Sequence, residues 1–269
     1  MVTLYHHGSS VCAAKVRLTL YEKGVSFDPI YLDILKGDQF DPDYLKLNPK
    51  AVVPTLVHNG HVLTESTLIC EYIEEAFDGP NLAPADPVKR HSMRTWGQAL
   101  DVELHIACGV TTFVASHRHT IKRLGPEGVE EFLNATPEQS VTSEWRDQKR
   151  RLIELGFDAP DAAGHIKTYD RYLQKMDDKL ADSEWLVGDD YTLADINMVP
   201  YVNRLDMLSM SGLWEEDRPH LARWWSQVKA RPHFKECILD WCPEDLTSDL
   251  KTFGAESYPD VQRVLGRKN

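Results

Sequence analysis

Apolar residues follow two regimes along the chain: short strand-like runs up to about residue 77, and helical spacing beyond it. Thr3-Leu4-Tyr5 reads as a strand, and Ser26–Asp33 as a second, with Phe27, Ile30 and Leu32 as its apolar members. Between them a polar loop, His6-His7-Gly8-Ser9-Ser10, leads into a helix from Cys12 to Glu22 that Gly24 ends. Further on, Ala51-Val52-Val53-Pro54-Thr55-Leu56-Val57 sets a proline directly before an apolar run. Interior strands exclude proline, so Pro54 is expected to open a strand and is a candidate cis proline, with the Val53 backbone turned towards a ligand. Asn59-Gly60 reads as a hairpin turn joining Thr55–His58 to His61–Thr64, and Glu65-Ser66 begin a helix that runs to about Phe77. The order is βαβ, a loop or short helix, then ββα.

Residues 78–87 hold Gly79, Pro80, Pro84 and Pro87, the composition of a linker, and no strand is expected beyond them. Val88–Ser116 reads as one long helix, with Gly109 as the place for a bend. His117–Pro160 is charged and weakly periodic, an added helical excursion. Helical spacing returns over Ala162–Ala181 through Ile166, Tyr169, Leu173, Met176 and Leu180. Thr192 and Asp195 then form a capping box, Thr192 capping the Asp195 N–H and the carboxylate reaching back to the Thr192 N–H. Its role is structural, and Asp195→Ala is expected to cost about 1–2 kcal/mol through lost capping. Pro219 to Arg231 is the last amphipathic helix, and the tail after Pro243 is polar and receives no element. The expected fold class is α/β plus all-α: residues 1–79 an N-terminal α/β domain, 80–91 a linker, 92–245 an all-helical domain with its excursion at about 117–160, and 246–269 a C-terminal tail.

Composition narrows the function more than the fold. With 42% hydrophobic and 27% charged residues the chain has a globular make-up, and 30 basic against 42 acidic side chains leave a net charge of −12. That balance argues against partners such as nucleic acid or an anionic membrane. No run approaches a membrane span and no signal peptide is evident, so a cytoplasmic location is expected. The five cysteines show no CxxC spacing and the histidines no convincing ligand spacing, so neither a disulfide framework nor a metal site is expected.

Taken together, Val53-Pro54, the strand, the Asn59-Gly60 turn, the second strand and Glu65-Ser66 before a helix resemble the glutathione-binding half of the cytosolic glutathione S-transferases. The resemblance implies a thioredoxin-like first domain, glutathione as cosubstrate, and a homodimer. It implies that Val53, beside cis Pro54, pairs with the cysteinyl backbone of glutathione, that Glu65 and Ser66 hold its γ-glutamyl end, and that Gln39 and Lys50 serve its glycyl end. Lys15, Arg17, Lys36 and Lys50 are the cations available to an anionic ligand. Thr192 and Asp195 match the transferases' buried capping motif. Aligning Lys15-Val16-Arg17 with the zeta-class pattern makes Ser10 the leading residue for activating the thiol; Ser9 and Cys12 stay open as alternatives. A cysteine there would favour mixed disulfides and reductive chemistry.

The requirement on that residue is modest. Lowering a thiol pKa from about 8.5 by two units takes roughly 2.7 kcal/mol, and one hydrogen bond to a charged group supplies about 1.5–3. A helix N-terminus adds about a further 0.3–1 kcal/mol, so a hydroxyl there suffices without a general base. The electrophile is expected to be aromatic or otherwise hydrophobic, attacked by conjugation or by ether or halide cleavage, with His105, Cys108, Thr112 and Tyr201 as pocket candidates. The segments Thr19–Gly24 and Thr64–Tyr72 resemble bacterial transferases related to the lignin β-aryl etherases. The alternative is a non-catalytic, transferase-like glutathione-binding or scaffold module.

Overall fold

The computed structural model describes residues 1–34, 36–135 and 143–267. Residues 136–142 of the expected excursion and the last two of the tail lie outside the described residues. Contacts group the chain into two units: residues 1–99 with 179–202 and 223–243, and residues 100–178 with 203–222 and 244–269.

The first unit is built on a four-stranded sheet in the order β2-β1-β3-β4, from β1 (Val2–His6), β2 (Asp28–Tyr31), β3 (Thr55–His58) and β4 (His61–Leu63). β1 runs parallel to β2 and antiparallel to β3, which registers Leu4 against both Pro29 and Leu56. Asn59 and Gly60 take positive φ at the β3–β4 turn, the conformation that an Asn-Gly hairpin favours. β2 is half the expected length. It lies at the sheet edge, and Pro29 has no N–H to give a ladder, so its apolar pattern overstates its pairing.

Helices α1 (Val11–Glu22) and α3 (Ser66–Ala76) pack together, with α2 (Pro42–Leu47) between β2 and β3 in sequence. α1 is buried on nearly all sides, from Ala13 to Leu20, including Lys15 and Arg17. Such a helix is held by tertiary contacts rather than by one apolar stripe.

A single helix, α4, runs over Pro87–Lys122. By length and composition alone it would pass as a membrane span, contrary to expectation, yet most of that stretch is buried inside the protein, as in a core helix. It widens to π turns at Leu100–Leu104 and Phe113–His117, on either side of Gly109 and not at it. The expected excursion holds α5 (Gly125–Ala135) and α6 (Ser143–Leu155), followed by α7 (Pro160–Leu180), α8 (Leu193–Met207) and α9 (Pro219–Lys229).

The polar tail is α10 (Glu244–Leu265), which buries Leu250, Phe253, Ser257 and Val261 at helical spacing. Pro259 lies inside the helix. Ser257 donates to the Ala115 carbonyl at 3.0 Å, within the π turn of α4, and a Cβ on Gly254 would lie 2.2 Å from the Leu208 carbonyl oxygen. The tail is therefore a closely packed part of the second unit.

Candidate active site

The loop after β1 ends in Ser10, the N-cap of α1, whose Oγ accepts the Ala13 N–H at 3.2 Å. A hydroxyl that accepts one bond still has its proton to donate, and Ser10 is only half-buried. Ser9 sits in the turn just before it, and Cys12 in the first turn of α1, its sulfur 4.0 Å from the buried Tyr201 hydroxyl. No disulfide joins any of the five cysteines.

The Val53–Pro54 peptide is cis, as the sequence suggested. The ladder begins at Thr55, and the Val53 N–H and C=O make no hydrogen bond to the described residues. The preceding residue is held firmly: the Val52 carbonyl accepts from Tyr44 Oη at 2.6 Å and from Asn48 Nδ2 at 2.9 Å. Asn48 Nδ2 also reaches Thr55 Oγ1 at 3.1 Å, so α2 and its C-cap brace both ends of the Val53-Pro54 step. Sequence reading missed Tyr44 and Asn48. Asn48-Pro49 did signal a turn, realised as the Asn48 Oδ1 bond from the Lys50 N–H at 3.1 Å, but nothing local says what that turn supports.

At the start of α3, Glu65 takes φ +67° and Ser66 is the first helical residue, nearly buried. Glu65 and Lys50 come together as an exposed ion pair at 2.6 Å. Lys50, assigned to the glycyl end, thus pairs with a residue assigned to the opposite end. Gln39 donates to the Ile34 carbonyl at 3.3 Å, within its own loop.

The other expected cations have partners within the protein. Lys15 and Arg17 have no exposed surface, Lys15 donating to Thr67 Oγ1 at 2.8 Å, and Lys36 pairs with Asp33 at 3.0 Å. Two cavities of this unit, about 210 Å³ beside Glu71 and Arg90 and about 350 Å³ beside Tyr5 and Asp38, are lined by neither Ser10, Val53, Glu65 nor Ser66.

Among the pocket candidates, Cys108 and Thr112 are buried in the second unit, 3.9 Å apart, and His105 is exposed there. Tyr201 is buried in the first unit.

Asp195 reaches back to the Thr192 N–H at 3.1 Å, whereas the Thr192 hydroxyl takes the N–H of Ala194, not that of Asp195. Asp195 also accepts from the Leu186 N–H at 3.0 Å and from Trp224 Nε1 at 2.9 Å. Burial pushes its carboxyl up to about 6 despite these bonds. Among the described residues no group of three or more side chains is arranged to hold a metal ion.

Family models for the N-terminal and C-terminal domains of glutathione S-transferases match residues 4–81 and 129–232. Protein LigF of Sphingobium sp. (strain NBRC 103272 / SYK-6) is 31% identical over 90% of this chain and 95% of its own. The chain belongs to the glutathione S-transferase family. A second relative, the tetrachloro-p-hydroquinone reductive dehalogenase of Sphingobium chlorophenolicum, is 33% identical over 87% of this chain and 94% of its own. The crystal structure of the β-etherase LigF superposes with a TM-score of 0.77 at 30% identity, covering 88% of this transferase and 98% of that chain. The fold is that of the family: a small mixed-sheet, thioredoxin-like N-terminal domain and a helical C-terminal domain.

Proposed function

We propose that this transferase lays glutathione along Val53-Pro54, with its γ-glutamyl end at Glu65-Ser66, and that the Ser10 hydroxyl donates to the sulfur and keeps it ionised. The observation that carries this is one small unit presenting an unpaired Val53 backbone and two helix N-termini, those of α1 and α3. The thiol proton goes to solvent. The thiolate attacks an electrophilic carbon, a C–S bond forms, and the C–O or C–halogen bond breaks with its electron pair leaving on oxygen or halide. The names of the two relatives, a β-etherase and an aromatic dehalogenase, favour an aromatic ether or halide as substrate.

Lys50 and Gln39 serve the glycyl end in this reading, so the Lys50–Glu65 pair must open or be bridged when glutathione binds. We place the enzyme in the cytoplasm as a homodimer, with the thioredoxin-like domain ending near residue 79, the linker over 80–91, and Tyr201 facing the substrate from beside Cys12.

A second reading gives the sulfur chemistry to Cys12, favoured by its place in the first turn of α1 and by the reductive relative. Joining Cys12 and glutathione as a disulfide releases two electrons and two protons. The aryl carbon takes the electrons and one proton in exchange for its halogen, which leaves as halide with the other proton.

Turnover of a panel of aryl ethers and halides with glutathione separates the readings. Loss in Ser10→Ala with Cys12→Ser active supports the first, and the reverse supports the second. A chain that neither binds glutathione resin nor turns over any of the panel would overturn both.

A further inference from the structure

Arg17 belongs to α1, yet no part of it reaches solvent. Its guanidinium donates through Nε to the Cys237 carbonyl at 2.7 Å, through Nη1 to His6 Nδ1 and the His7 carbonyl, each at 3.2 Å, and through Nη2 to the Gly8 carbonyl at 3.0 Å. It also lies 5.9 Å from the Trp241 ring centre. None of these partners is a carboxylate.

The titratable groups around it are His6, Tyr21, Tyr31, Cys237 and Cys242, and Glu22, which acts on Cys237, is paired with Arg231 at 2.6 Å. Burial holds His6 neutral with a pKa near 3 and pushes the Cys237 thiol up to about 12. Burial lowers Arg17 itself only to about 10, so it keeps its charge. A positive charge therefore sits beside the loop among neutral hydrogen-bond partners.

The loop is gripped from its other side by residues 237–242. A Cβ on Gly8 would lie 1.8 Å from the Trp241 carbonyl oxygen, Cys242 Sγ is 3.7 Å from the Gly8 carbonyl, and the His6 and Trp241 rings meet edge to face at 4.5 Å. The His7 carbonyl that Arg17 holds is the one that accepts the Ser10 N–H, at 3.2 Å. One oxygen thus links the guanidinium to the main chain of the N-cap.

We infer that Arg17 and the segment Cys237–Cys242, which lies beyond the end of the matched C-terminal family model at residue 232, form the clamp that holds Ser10 where the glutathione sulfur arrives, making Arg17 a positioning residue of the reaction. This rests on the Ser10 reading above. A hydroxyl displaced by a fraction of an ångström loses most of its differential hold on a thiolate, while Val53, Glu65 and Ser66, on other elements, keep the peptide bound.

The test is to titrate the thiolate absorbance of bound glutathione, and to measure its Kd, in the unmodified protein and in Arg17→Gln, Arg17→Lys and Gly8→Ala. Arg17→Gln should raise the bound thiol's pKa by about one unit, a tenfold loss of thiolate at lower pH, with Kd changed less than about threefold. Arg17→Lys, which keeps the charge but not the fork, should recover about half of that shift. Gly8→Ala should raise the pKa with Arg17 intact, because it pushes the loop off the Trp241 backbone.

If the bound thiol of the unmodified protein is not depressed, the Ser10 reading falls and takes this inference with it. If it is depressed, and neither Arg17→Gln nor Gly8→Ala moves it in protein that binds glutathione normally, the clamp alone is overturned. Should Arg17→Gln not be recovered folded, Arg17→Lys and Gly8→Ala decide by the same criterion.

Discussion

Two helix starts in the first unit follow the same physics to opposite ends. At α8 the Asp195 carboxylate is fully buried and accepts four bonds, from the Leu186 N–H, the Thr192 N–H and hydroxyl, and Trp224 Nε1. At α1 the Ser10 hydroxyl is half-buried and accepts one, from the Ala13 N–H. The first arrangement spends its polar capacity on the fold. The second leaves a half-exposed hydroxyl proton at a helix N-terminus, which is what the proposed stabilisation of a thiolate requires. A cap is structural or chemical according to what burial leaves it to do.

The largest test of that contrast is Asp195→Ala. Lost capping costs about 1 kcal/mol, and two buried donors, the Leu186 N–H and Trp224 Nε1, are orphaned at about 1–3 kcal/mol each, partly offset by relief of a buried charge. We expect a loss of about 3 kcal/mol in denaturant unfolding, more than the sequence-based figure for capping alone, with glutathione affinity unchanged while the protein stays folded.

Acid should act on the two starts with opposite sign. Asp195 has a folded value of about 6 against its ordinary 3.8, so the folded state takes up the proton first and stability rises as pH falls from about 6 to about 4. His6, beside the α1 loop, falls from 6.5 to about 3; the unfolded chain takes up its proton first, and stability present above 6.5 is lost as pH falls towards 3. Unfolding free energies from about pH 7 to about pH 4 should show the unmodified protein gaining on Asp195→Asn, by up to about 3 kcal/mol, and losing ground to His6→Gln. The same sign for both pairs would refute the contrast.

Ser10→Ala comes next, with kcat/KM down about 100-fold and stability down about 1 kcal/mol, since one donor to the thiolate is lost along with one cap bond. A stability loss with undiminished turnover would make Ser10 a second structural cap. The smallest effect is expected from Lys50→Ala. Its pair with Glu65 is exposed on both sides, so stability should change by less than about 1 kcal/mol and glutathione Kd by less than about fivefold, measured by calorimetry.

The parts of the fold legible in the sequence are those written in local chemistry. Asn59-Gly60 demands positive φ, proline before an apolar run marks a strand start, and Thr192 with Asp195 marks a helix start, so the hairpin, the Val53-Pro54 edge and the cap were all readable. Gly109 misled because glycine weakens a helix without saying where it widens. The helix after Pro243 reads as a polar tail, although Leu250, Phe253 and Val261 carry its spacing.

What the chain determined by itself is the list of elements and the residue types at the site, because those depend on neighbours within a few positions. What only tertiary structure decided is who supports whom. Tyr44 and Asn48 brace the Val52 carbonyl, Glu65 meets Lys50, and Arg17 meets the Cys237 carbonyl 220 residues away. Such pairings come from packing separate elements around a shared core, where desolvation makes each buried donor find an acceptor wherever the fold brings one, and no local pattern encodes that choice.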